Sequence, residues 1–319
     1  MARFLDDALG VGGELVSLME SGATVDPAAG LAVVPQWTDA VETVTDLWQG
    51  DMERRRLLVD AAYAAGATSA AALAWLSERR SSLNGAGRRL VGAADVESIR
   101  EMTAAFRRVD NRWGGGQSRA AVVRFLHGEV APLLRDGRYD AATGRALLGA
   151  TAELTHLAGW MAHDFGQHGL AQRYLIQALQ LAMSGDDRPL GAEVLAGMSQ
   201  QAVYLGYGQE GANLAQAAAT TARRAGVAAL VAEAAVMEAH AEATLGDKPA
   251  TIRALGRAET ALDRADRSSD PQWIGYFDEA YLSAKFGHCF KALDDHTQAE
   301  QFARRSLIMD GSYVRGRAF

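Results

Sequence analysis

The chain has 319 residues, with 32 basic and 39 acidic side chains and a formal net charge of −7; 49% of its residues are hydrophobic and 22% charged. This composition excludes a disordered chain, and the acidic balance excludes the molecule as a whole as an electrostatic match for nucleic acid. A single cysteine, Cys289, excludes an intramolecular disulfide framework and a multi-cysteine zinc site, and fits a reducing compartment.

The first ten residues, MARFLDDALG, are acidic and lack the basic-then-apolar order of a secretion signal. Residues 3–19 read as helix, loosened by Gly10, Gly12 and Gly13. No Gly-Lys-Ser/Thr follows these glycines and no strand precedes them, so they mark a helix corner rather than a phosphate loop. Turn formers, including Pro27 and Pro35, fill residues 21–35. From 37 to 76 the pattern predicts helix, with Val41, Val44, Leu47 and Trp48 on one stripe. The least charged long stretch, 61–76, is cut by Gly66, and no segment reads as a bilayer span, so a cytoplasmic protein is expected.

The basic clusters Arg54-Arg55-Arg56, Arg79-Arg80 and Arg88-Arg89 read as solvated helix faces, with a docking surface for a further domain or its DNA as the alternative. The run Ser81-Ser82-Leu83-Asn84-Gly85-Ala86-Gly87 is the best linker. It divides a helical N-terminal portion, 1–94, from a second domain, 95–319. Asp95 is the predicted N-cap of a helix over 96–112 that buries Ile99, Met102, Phe106 and Val109, and Gly114 to Gly116 end it.

Beyond Gln117 helix follows helix at regular spacing, and small residues recur 12 and then 7 apart. The sets are Gly159, Ala171, Ala178; Gln200, Ala212, Ala219; Ala239, Thr251, Ala258; and Gly287, Ala299, Ser306. Successive units are offset by 41, 39 and 48 residues. Stacked antiparallel helical hairpins require small side chains where backbones approach. The expected fold is therefore all-α, a right-handed superhelix of such hairpins.

These positions resemble the tetratricopeptide repeat. Several ordered runs, among them Ala8-Leu9-Gly10-Val11-Gly12-Gly13, Leu157-Ala158-Gly159-Trp160-Met161-Ala162, Gly169-Leu170-Ala171-Gln172-Arg173-Tyr174 and Tyr276-Phe277-Asp278-Glu279-Ala280, resemble the sensor region of actinobacterial transcription regulators. Those regulators join a helix-turn-helix of the Cro/repressor type to tetratricopeptide repeats. Their DNA-binding domain precedes the Ala-Leu-Gly-like run, whereas only seven residues precede Ala8 here. The expectation is a sensor body that meets DNA only through a domain absent from this chain. The run ending at Phe319 lacks a polar capping unit, which makes a homodimer through terminal units plausible.

No catalytic constellation is visible, so no enzyme, metal or cofactor is expected. His156 and His163 project from one side of a helix, roughly 10 Å apart, too far to share a metal ion. Cys289, beside His288, reads as a buried small hydrophobe. In stacked hairpins the first helices line the concave surface. The residues after the first small slot there are Trp160, Gln201, His240 and His288; further along come His163, Tyr204 and Lys291, and His156 lies one turn back. This row is the predicted groove for a peptide or small signal molecule. The leading expectation is a ligand-sensing module of a transcription regulator, with a protein-interaction scaffold as the alternative.

Overall fold

The computed structural model describes residues 30–53, 61–77 and 83–308. The helix expected at 3–19, the glycines at 10, 12 and 13, the clusters at Arg54 and Arg79, and the final run to Phe319 lie outside these residues. The described residues are overwhelmingly helical, and none of their helices is long and apolar enough to cross a membrane.

Two helices come from the N-terminal portion, α1 (Trp37–Glu53) and α2 (Ala67–Leu76). They are not the continuous helix the pattern predicts: residues 61–64 are irregular, and Gly66, at φ 85°, precedes α2. After a short hairpin-like segment, β1 (Gly85–Ala86) and β2 (Arg89–Leu90), come α3 (Ala93–Trp113), α4 (Gly115–Phe125), a π-helical turn and α5 (Ala131–Arg135). Then β3 (Gly137–Tyr139) slots between β1 and β2 to make a three-stranded patch that the sequence pattern does not signal.

Asp95 caps α3 from within. Gly92 is the N-cap residue and donates its N–H to the Asp95 carboxylate at 2.9 Å. The buried stripe of α3 is Val96, Ile99, Thr103 and Asp110, while Val109 is exposed. Met102 and Phe106 are partly buried, with Phe106 packed against Phe125 and the core, so the predicted stripe departs from the buried face at its last residue.

Eight helices follow as four pairs: α6 (Ala141–Asp164) with α7 (His168–Ser184), α8 (Arg188–Tyr204) with α9 (Gly208–Ala225), α10 (Ala228–Thr244) with α11 (Lys248–Asp263), and α12 (Glu279–Ala292) with α13 (His296–Ser306). First helices also pack against the next first helix, α8 on α10 and α10 on α12. Aspartates cap many of these helices: the carboxylates of Asp140, Asp187, Asp247, Asp278 and Asp295 each accept a first-turn backbone N–H. Left-handed backbone turns each first helix into its partner at Gly166, Gly206, Gly246 and Asp294.

Those turns correct the repeat register. They fall 40, 40 and 48 residues apart, so the second small slot is Ser199, not Gln200. Ser199 is fully buried and its hydroxyl donates to the Gly211 carbonyl at 2.7 Å, across the hairpin. The second set is thus Ser199, Gly211 and Ala218, and every slot of the four units is small. The surplus eight residues of the last interval lie between α11 and α12.

The N-terminal portion lies on the second helices. Gln177 donates to the carbonyls of Gly30 and Ala32, Gln180 to that of Val34, and Gln172 both donates to and accepts from Ala64. Asp51 of α1 is buried between Arg119 of α4 and the Tyr174 hydroxyl of α7. Trp75 of α2 packs over Gly191 and donates to Thr221 at 2.9 Å.

Candidate functional site

Each first helix turns one polar stripe to a shared face. On α6 the stripe is Glu153, His156, Trp160 and His163; on α8 it is Glu193, Gly197, Gln200 and Tyr204; on α10, Glu233 and His240; on α12, Tyr281, Lys285 and His288. The spacings of three, four and seven residues are those of one helix face. That the stripes meet is visible in their contacts. Lys285 reaches past α10 to donate to Gln200 of α8 at 2.9 Å, and His240 lies 6.0 Å from His288, ring centre to ring centre.

At the α6 end the rings form a cluster. Trp160 donates its indole N–H to His156 Nε2 at 2.9 Å, so His156 carries its proton on Nδ1. Burial pushes His156 down to about 3, and Arg107 adds to the effect, so it is neutral across the physiological range. Both rings can lie this close to α8 because Gly197 stands opposite them. A methyl there would come within 3.1 Å of Trp160 and 3.3 Å of His156 Nε2. His163 stacks edge to face against Trp160, His168 and Tyr204 at 5.0 to 5.2 Å.

In the middle are two buried carboxyl groups, Glu193 and Glu233, 5% and 3% exposed. Tyr276, from the long segment before α12, reaches in and places its hydroxyl 2.9 Å from Glu193 and 2.6 Å from Glu233. A phenol has one proton to give, so both contacts are made only when one carboxyl carries a proton of its own. Burial raises both carboxyl groups, and the Glu193 charge holds Glu233 furthest above the carboxylate range. Beside them burial brings Lys285 down to about 8, against the pull of Glu233, and its ammonium sits 5.1 Å over the Tyr281 ring. His240 is pushed down to about 3, by burial and then by Lys285. Toward α3, Glu153 pairs with Arg107 at 3.0 Å.

Of the predicted groove residues, His156, Trp160, His163 and Tyr204 come together, and His240 and His288 form a second pair. One fails. Gln201 is fully buried on the other side of α8, where it donates to the His168 carbonyl at 2.9 Å. The one-residue register error placed it on the face that Gln200 occupies. Lys291, the counterpart of His163 in the corrected register, continues the α12 stripe past His288 at its exposed end, and Lys285 is the lysine that reaches across the face. The sequence pattern does not single out Glu153, Glu193, Glu233, Gln200, Lys285 or Tyr276. In the corrected register the glutamates stand forty residues apart, a signal that was available, whereas nothing in the sequence marks Tyr276. Cys289 is buried, as expected, and burial pushes its thiol up to about 12, which leaves no thiolate for nucleophilic chemistry at neutral pH.

Compared with models of known protein families, with curated proteins and with solved structures, the chain matches none.

Proposed function

We propose that this chain is the ligand-sensing part of a cytoplasmic regulator. In this reading the four hairpins form a tetratricopeptide-like right-handed superhelix, and the first-helix face is its concave groove. A peptide or small signal molecule bound there shifts the hairpins relative to one another and so biases a DNA-binding domain or partner joined to them. The reading rests on one observation above all: polar and aromatic side chains occupy corresponding places on four successive first helices and meet on one face. A repeat that served only as structure would need nothing particular there. The likeness of the quoted runs to sensor regions of actinobacterial Cro/repressor-type regulators supports the same reading.

The role is non-enzymatic. A scaffold that binds a partner protein is the second reading, and the exposed side chains of Phe165, Tyr204 and Leu245, at the turns between paired helices, favour it.

Trp160→Ala tests the groove. A panel of synthetic peptides and small metabolites is screened by thermal shift against the native chain and the variant. A ligand at a hundred times its Kd adds about 2.7 kcal/mol to stability, equivalent to several degrees. At least one compound is expected to stabilise the native chain but not the variant, with helicity by circular dichroism the same in both. A shift fully retained in Trp160→Ala overturns the groove. No shift from any compound, together with stable co-purification of one protein, points to the scaffold.

A further inference from the structure

Three glutamates repeat with the hairpins. Glu153, Glu193 and Glu233 each stand six residues before their small slot, Gly159, Ser199 and Ala239, so they form a row at forty-residue intervals across α6, α8 and α10. A buried carboxylate costs several kcal/mol unless donors or cations match it. The two ends of the row are matched by cations. Arg107 sits on Glu153, and Lys285, held by Gln200 and the Tyr281 ring, lies beside Glu233.

Glu193, in the middle, has no ion pair among the described residues and shares its hydrogen bonds with Glu233. Besides a hydrogen bond between the two carboxyl groups, Glu193 and Glu233 share the Tyr276 hydroxyl, which contacts one oxygen of each; no other described residue donates to the Oε2 atom of either, although both side chains are at least nine-tenths buried. Tyr276 belongs to no helix of the array. It comes from the segment that lengthens the last interval from 40 to 48 residues, and its ring is partly exposed while its hydroxyl is buried against the pair.

We propose that Glu193 and Glu233 are the recognition site for a basic side chain, Arg or Lys, of an extended peptide lying along the first-helix face, and that Tyr276 holds that place in the free chain. This rests on the groove reading above and deepens it. A guanidinium or ammonium supplies donors for the two Oε2 atoms in the charge-assisted geometry that carboxylates favour. As the cation enters, the proton held by the pair leaves to solvent, so the net charge of the buried group is unchanged. Aromatic surface already flanks a cation on this face at Tyr281, and Trp160 offers more toward α6.

The test is selection of random displayed heptapeptides on the full-length chain, run in parallel on Glu193→Gln/Glu233→Gln and on Tyr276→Phe. Circular dichroism and melting confirm that each variant is folded; if the double variant is not, Glu193→Gln alone is read in its place. The native chain is expected to enrich peptides with a basic residue at one fixed position by at least tenfold over the unselected library. The Gln variants should lose that preference, and Tyr276→Phe should keep or strengthen it. Enriched peptides without a basic residue, or a basic preference unchanged in the Gln variants, overturn this inference and leave the groove standing. No enrichment of any sequence, in a chain shown to be folded, overturns both.

Discussion

At the scale of single residues, the first-helix face is defined by groups whose charge states differ from those of the unfolded chain. Glu233 keeps a proton in the folded protein that an unfolded chain releases above about pH 4.5, because burial and the Glu193 charge oppose its ionisation. The folded state then binds more protons than the unfolded one, so this group costs stability as pH rises from that point until it ionises in the folded protein. His156 and His240 act in the opposite direction. Both are held neutral down to about pH 3, whereas the unfolded chain takes up protons below about pH 6.5, so stability falls as pH drops through that window. Each proton contributes a slope of at most about 1.4 kcal/mol per pH unit. Glu233→Gln is therefore expected to gain on the native chain as pH is raised from 4.5 to 8, with the acid limb of the curve unaltered. Urea midpoints across pH 4 to 9 measure this, and parallel curves for the two proteins would refute it.

Helices and their partners raise a different question, which is what holds the N-terminal portion to the array. The answer is largely side-chain amides reading main chain. Gln177 alone satisfies two carbonyls of the segment before α1, those of Gly30 and Ala32, from a fully buried position on α7. Its truncation leaves the buried Gly30 carbonyl without that donor, at about 1–3 kcal/mol. Gln177→Ala should lower the denaturant midpoint accordingly, and native-state proteolysis should reach the segment around α1 before it cuts the hairpins. An unchanged proteolysis pattern would mean that α1 is held by its apolar stripe and by Asp51 alone. That stripe, Val41, Val44, Leu47 and Trp48, was legible in the sequence and is buried as read. The glutamine contacts were not legible, since a glutamine on a helix gives no sign of which backbone it will meet. The helical repeat itself could be read from small residues at fixed offsets. Its second unit was misplaced by one residue because alanine is common enough here for Ala212 and Ala219 to satisfy the pattern beside Gly211 and Ala218. That single slip moved Gln201 onto the face and hid the row of glutamates; Glu193 and Glu233 carry no local motif and become visible only once the interval is forty.

Over the whole molecule, stability runs from well-buried hairpins at the centre to a lightly anchored end. Helices α7 and α8 are buried along nearly their full length, whereas α13 has no buried residue and touches the rest chiefly through α12. In an array where each hairpin leans mainly on its neighbours, opening begins where an element has a neighbour on one side only. Hydrogen exchange should therefore reach the amides of α13 first and those of α7 and α8 last, by orders of magnitude in rate. Equal protection of α13 and α8 would show that the C-terminal hairpin is held by contacts other than those described.

The segment between α11 and α12 also gives the array uneven mechanics. Repeats of one length, joined by equal turns, would bend like a uniform spring. Here one phenol straddles α8 and α10, which belong to different hairpins, and acts as a cross-brace on that joint. The next joint is held from the first-helix side alone, by α10 on α12 and the Lys285–Gln200 contact, because α11 hardly touches α12 and fifteen residues span the gap. A torque applied at α6 would pass stiffly through the braced centre and dissipate at that last joint, and releasing the phenol would move the soft point inward by one hairpin.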